Sequence, residues 1–435
     1  MQVDDAPLAD DKAIQRDGHG LKATVVAAIV LAVLSLMLFV PLVARPLDGD
    51  PALYAYIGDR LLKGDALYRD VWDVKPPGFP LLYSLSFALF GRHYWAPAAL
   101  DLTLCWATAI GLFVLAGRFG GRAASWTSAL FCLVAYWGVS ASGMGLQAEG
   151  FAAPFLVWSF VCRTVPNAGR AFGFVSGALL CVAATVKTPL ALFAVPWAMA
   201  GPAGAALVAP AFGAATIGAL ALVYLKSHSA LSEAVYTLTD FAGRFVAQRS
   251  KPPFDPVAAV STMAGGVWGV ILANWAGVFA AVADKAQRPI AWAAATGLVL
   301  TAWQGAFWSY HWYVVNLFAA VGFGLLTERL AERTKKPVWA FGLVFVGATL
   351  ILSPDRFLKP GEAPLAEPSL VGHWSRFLTL VRTKDFDAFA SNFATVYGDP
   401  PVTERDLYSL AKDIAAKTTP EDTVWSCLLY TSRCV

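Results

Sequence analysis

Six aspartates and five basic residues fall between Arg45 and Lys75, in RPLDGDPALYAYIGDRLLKGDALYRDVWDVK, and Pro76-Pro77 follows at once. The aspartates are Asp48, Asp50, Asp59, Asp65, Asp70 and Asp73; the cations are Arg45, Arg60, Lys63, Arg69 and Lys75. A positioned carboxylate can take a proton from a hydroxyl, and a fixed cation can hold an anion. Apolar segments lie on both sides of this stretch, so its charges sit beside lipid, where ionisable groups are functional candidates by default. Three further polar residues stand in or beside apolar segments: Glu149 in Gln147-Ala148-Glu149, Lys187 before Thr188-Pro189, and His311 in Ser309-Tyr310-His311-Trp312-Tyr313.

The elements that must position these residues are membrane helices. The 435 residues are 57% hydrophobic and 14% charged, with a mean hydropathy of +0.56, outside the usage of water-soluble domains. A net charge of +3 with no basic run excludes a nucleic-acid track. Sixteen Trp and thirteen Tyr fit aromatic belts at a bilayer surface. Cys105, Cys132, Cys162 and Cys181 lie singly in apolar segments, and no pair of the six cysteines has metal or redox spacing, so they read as packing residues.

With about 20 apolar residues per crossing, spans fall near 21–44, 94–117, 123–140, 147–162, 171–187, 188–201, 203–225, 257–283, 289–306, 309–326 and 337–353. That is about eleven, the short 188–201 segment being a re-entrant candidate. Residues 1–20 are a polar, acidic tail, and the first apolar segment is too long for a signal-peptide core, so it reads as a retained span. A cytoplasmic N-terminus places Arg118, Arg122, Arg163, Arg170, Lys285, Arg288, Arg329, Arg333, Lys335 and Lys336 inside, as positive-inside bias requires. The loop 45–75 then lies outside and breaks that bias: either its cations have another task, such as binding an anion, or the parity is wrong.

Within that loop, Asp50 reads as an N-cap before Pro51 for a surface helix to Lys63, with Leu53, Ile57, Leu61 and Leu62 on one face. A second interfacial helix opens at Pro76-Pro77 and reaches Gly91, too short to cross. Another outside loop spans Lys226 to Pro256. The segment 354–435 reads as extracytoplasmic and soluble, with a helix over Glu404–Lys417 and a strand near Thr423. A lone strand is unstable, so it reads as the opening of an α/β domain whose remainder is missing.

The order Asp48-Gly49-Asp50, Tyr54, Gly64-Asp65, Tyr68-Arg69-Asp70, Lys75-Pro76-Pro77 and Leu89-Phe90-Gly91 resembles the first external loop of GT-C membrane glycosyltransferases. It is most similar to the bacterial branch related to protein O-mannosyltransferases and to the lipid A aminoarabinose transferase. Gln147-Ala148-Glu149, the Ser309–Tyr313 stretch and the tail Thr419–Trp425 agree with it. Two departures stand out: Ser426–Val435 does not match the family's soluble domain, and a proline usual near Asn316 is absent.

The resemblance implies an α-helical polytopic membrane fold of GT-C type, and inverting transfer of a sugar from a polyprenyl-phosphate donor to a glycan, lipid or protein acceptor outside a bacterial inner membrane. It implies Asp50 as base, assisted by Asp48 and Glu149. Lys75, Arg60 and Lys187 would hold the carrier phosphate, and Tyr54, Tyr310 and His311 the substrate. No cofactor is certain; a divalent cation is possible. Each role has a plainer rival: Asp50 as a helix cap, Lys75 snorkelling at a span end, Lys187 closing a helix C-terminus and His311 as an interface residue. Asp101, near a span start, reads as interfacial and stays outside the set. A flippase of lipid-linked sugars is the competing function, though transporters favour paired halves with midplane breaks and no half-repeat is visible here.

Overall fold

The first helix shows how this sequence packs. In α1 (Leu21–Val43) the buried residues Ala27, Leu31, Ser35 and Phe39 recur every fourth position, while Val25, Val26, Ile29, Val33, Leu36 and Met37 face outward. A helix that is apolar all round has lipid for its solvent, and only the stripe of period near 3.6 meets the rest of the protein.

The computed structural model describes residues 20–47, 49–166, 169–201, 207–244, 255–263, 267–282, 287–305, 307–336, 338–353 and 369–390, with 413, 416 and 417. After α1 come α2 (Gly49–Leu62), α3 (Gly78–Phe90), α4 (Ala96–Phe119), α5 (Arg122–Val139), α6 (Ala148–Arg163), α7 (Arg170–Val186), α8 (Ala194–Met199), α9 (Val208–Ser227) and α10 (Leu231–Val235). The chain continues with α11 (Pro256–Thr262), α12 (Trp268–Val282), α13 (Arg288–Gln304), α14 (Tyr313–Thr334), α15 (Val338–Leu352), α16 (Leu370–Thr383) and α17 (Phe386–Ala390). Among the described residues there is no sheet, only an isolated bridge between Leu67 and Val71.

Five helical stretches among the described residues are long and apolar enough to cross a membrane: Leu21–Val43, Ala96–Phe119, Arg122–Met144, Val208–Ser227 and Ser309–Thr334. The chain is a multi-pass membrane protein. The count of about eleven is not reached by that standard, because several expected spans are short or broken. The segment 188–201 is a 3-10 turn (Thr188–Phe193) followed by six-residue α8, and 257–283 divides into α11 and α12. The expected strand near Thr423 and most of the helix over 404–417 lie outside the described residues.

The bundle closes through small residues and main-chain carbonyls, as expected where lipid supplies no hydrophobic drive between helices. Trp106 in α4 donates its indole N–H to the Ala28 carbonyl of α1, and Trp158 in α6 to Ala107 of α4, each at 2.9 Å. Asn274 of α12 donates to Asn316 of α14 at 2.5 Å, both side chains fully enclosed. Gly177 of α7 lies so close to α9 that an added Cβ would be 1.9 Å from the Pro210 carbonyl oxygen. Gly177→Ala is therefore expected to push α7 and α9 apart and lower stability by about 1–3 kcal/mol, read as a lower thermal midpoint in detergent.

Past the last crossing the chain returns to the bundle. Ser369 caps α16 by accepting from the Gly372 N–H at 3.1 Å, and the Trp374 indole donates to the Met37 carbonyl of α1 at 2.7 Å.

Candidate active site

Folding sorts the charges of the 45–75 loop into two groups. In the first, each aspartate is taken up by a cation: Arg60 pairs with Asp65, Lys63 and Arg92 with Asp59, and Arg69 with Asp70. Burial acts to raise the Asp59 carboxyl, but its bonds to Arg92 and Lys63 prevail and hold it below the ordinary range. Asp70 is lowered to about 2 by the Arg69 guanidinium and the Ala66 N–H. These pairs take up three of the loop's five cations, Arg60, Lys63 and Arg69, and Arg60 stands partly exposed against Asp65.

The paired loop is clasped to the chain after α9. Leu67, Tyr68 and Val71 share a small core with Leu225, Ala230 and Ala234. Trp72 donates to the Thr237 hydroxyl at 2.9 Å and meets the Phe241 ring edge-on at 4.7 Å, while Arg69 donates to the His228 carbonyl at 2.6 Å. Tyr68, a non-glycine residue at φ 71°, donates its hydroxyl to the Lys75 carbonyl at 2.7 Å and so fixes the backbone that carries the lysine.

The second group is Asp50, Asp73 and Lys75, gathered around Tyr54. The Lys75 ammonium stands 5.5 Å from the centre of the Tyr54 ring, a cation–π arrangement. Asp50 precedes Tyr54 by one helical turn on α2. Its place differs from the expected cap: α2 begins at Gly49, so Asp50 lies inside the first turn, where a carboxylate favours the helix dipole. Tyr54 is buried, and its phenol is raised by that burial and then by Asp50 and Asp73. The ring rests on Phe79 (4.8 Å) and Tyr83 (5.6 Å) of α3, and Tyr83 stacks on Phe151 of α6 at 5.2 Å. This aromatic platform ties the loop helix to the start of α6, two residues after Glu149.

Glu149 is 2% exposed and forms an ion pair with Lys187, whose ammonium also donates to the Gln304 side-chain oxygen at 2.7 Å. The His311 Nε2 lies 3.8 Å from the same Glu149 oxygen. Lys187 closes α7, as the plainer reading expected, yet its side chain turns inward to the pair. The break at 188–193 ends α7 and lets it do so. Lys75 lies within electrostatic reach of Lys187, and Tyr310 of Tyr54, so the two groups form one neighbourhood.

Asp50, Lys75, Tyr54, Glu149, Lys187, Tyr310 and His311 are thus brought together; Arg60 is not, and Asp48 lies outside the described residues. Sequence reasoning missed Asp73 and Gln304. Asp73 is 7% exposed; one carboxylate oxygen accepts from the Val74 N–H at 2.7 Å, and the other is buried with no hydrogen-bond partner. Its position two residues before Lys75 was the available signal; Gln304, uncharged at a span end, offered none. Among the described residues no three His, Cys, Asp or Glu side chains cluster closely enough to hold a metal ion.

Burial raises the Asp73 carboxyl, against the opposing pull of Lys75 and main-chain N–H groups, with Asp50 adding to the rise. A carboxyl raised on folding binds its proton more tightly in the folded chain, so stability falls as pH climbs from about 4, the ordinary carboxyl value, through the folded one. Asp73→Asn is expected to remove that slope. Its thermal midpoint should exceed that of the parent at neutral pH, with the gap closing below about pH 4.

No family model matches the chain, nor does any curated protein sequence. Solved structures do. ArnT from Cupriavidus metallidurans bound to undecaprenyl phosphate superposes with a TM-score of 0.59 at 17% identity, over 92% of this chain and 82% of that one. Its apo form gives 0.59 at 16% identity, over 92% and 81%. The apo oligosaccharyltransferase of Archaeoglobus fulgidus gives 0.52 at 10% identity, over 76% of this chain and 55% of that one. Taken with the helical bundle and its loop helices, these superpositions show that the chain shares the fold of ArnT and of that oligosaccharyltransferase.

Proposed function

We propose that this chain is a membrane glycosyltransferase that moves a sugar from a polyprenyl-phosphate carrier to an acceptor hydroxyl on the extracytoplasmic side of a bacterial plasma membrane. The observation that carries the reading is the meeting of Asp50, Lys75 and the Lys187–Glu149 pair around one aromatic platform. The fold supports it, since ArnT is described bound to undecaprenyl phosphate.

The groups present define the chemistry. The acceptor oxygen attacks the anomeric carbon, its proton passes to the Asp50 carboxylate, and a new C–O bond forms with inversion. The bond from that carbon to the phosphate oxygen breaks, its electron pair leaving with the polyprenyl phosphate. Lys75 faces the charge that grows on the leaving oxygen, an interaction stronger in the transition state than in the bound donor. Glu149 is held by Lys187, so its part is to fix that ammonium and His311 rather than to take the proton. Acceptors of this class include envelope glycans, lipids and proteins.

The test is purified protein in lipid nanodiscs given a labelled polyprenyl-phosphate sugar. Release of free polyprenyl phosphate coupled to labelled acceptor supports the reading. In proteoliposomes, movement of the intact donor across the bilayer without cleavage would replace it with lipid-linked sugar transport.

A further inference from the structure

Asp101 is a buried carboxylate that the proposed reaction does not use. It lies in the second turn of α4, 6% exposed, and a membrane-embedded acid calls for a specific partner. It has two: the Tyr136 hydroxyl of α5 donates to it at 2.5 Å, and so does the main-chain N–H of Leu146. The carbonyl of the same Leu146 accepts from the Tyr83 hydroxyl of α3 at 2.7 Å. Leu146 is thus held from both sides, in a left-handed conformation (φ 59°) that a side chain rarely adopts without such support.

This clamp grips the turn that opens α6. Gln147 is the next residue, α6 starts at Ala148, and Glu149 is in its first turn. The Tyr136 hydroxyl also fills the space beside Gly150, where an added Cβ would come within 2.1 Å of it. The Asp101–Tyr136 brace therefore lies directly against the turn that carries Glu149, and Tyr83 joins it to the platform under Tyr54.

We propose that Asp101 is a positioning residue which, with Tyr83, holds the Leu146 peptide in its left-handed conformation and so aims Glu149 at Lys187. The effect on turnover rests on the transferase reading; the clamp itself does not. Asp101→Asn keeps the shape but loses an acceptor, and Tyr83→Phe removes one hydroxyl while keeping the stack on Phe151. In both, amides of residues 143–150 should exchange about tenfold faster, the size of the left-handed penalty for an L residue, with the thermal midpoint of the whole protein little changed. Turnover should fall while the carrier KM stays near that of the parent. Adding Leu146→Gly to Asp101→Asn should bring turnover back, because glycine takes this conformation without the clamp; a carboxylate needed only for packing would not be rescued this way. Unchanged exchange in both single variants, or no rescue by Leu146→Gly, overturns the proposal. If the parent protein shows no turnover at all, the transferase reading has failed, and the exchange measurement still decides the clamp.

Discussion

Asp50→Asn is expected to lower turnover of a polyprenyl-phosphate sugar by about 10²–10⁴-fold, the range for loss of a positioned general base. The carrier KM should hardly move. Asparagine keeps the volume and the place in the first turn of α2, so the Tyr54 platform and the Lys75 ammonium above it stay as they are. What disappears is the ability to receive a proton as the acceptor oxygen attacks. Single-turnover assays with labelled donor check this directly. Equal losses in carrier binding and turnover would assign Asp50 to binding, and unchanged turnover would move the base elsewhere, with Asp73 the next carboxylate to test.

Lys187→Met is expected to lower stability by about 3–5 kcal/mol, because it leaves Glu149 charged, buried and without its cation. Glu149 is 2% exposed and the Lys187 side chain 16%, so solvent offers little compensation. His311, 3.8 Å away, becomes the nearest group able to carry a compensating positive charge. The double variant Glu149→Gln/Lys187→Met should regain much of the lost stability, since removing both charges of a buried pair costs far less than removing one. It should regain little turnover, because the neighbourhood would have lost its second cation. Unfolding in detergent, read beside the transfer assay, separates the two effects.

The parts of this site that could be read from the chain are those whose local setting is unusual. Glu149 and Lys187 stand among apolar residues, and Lys75 precedes a double proline; each is conspicuous without knowing the fold. The six aspartates of the first loop are not distinguishable in that way. Asp59 differs from Asp73 because Arg92, 33 residues further on, joins Lys63 in pairing with it, and among the described residues no such pair forms at Asp73. The pairing of Arg60 is hidden for a similar reason, its partner Asp65 being fixed by how the turn after α2 folds. The number of crossings suffers from another cause: hydropathy does not register that Thr188-Pro189 ends α7 in a tight 3-10 turn. Asp101 looked interfacial because Tyr136 and Leu146, its partners, come from separate elements of the bundle.

The clasp between the first loop and the segment after α9 sets an order of events during synthesis. Trp72 and Thr237 are 165 residues apart, and Arg69 and His228 are 159 apart. At about 5–20 residues per second, a ribosome needs roughly 8–30 s after making Trp72 before its partner exists. Asp50 and Lys75 therefore leave the ribosome well before the segment that clasps their loop has been made, so the nascent site cannot mature until the ninth helix has been delivered to the bilayer.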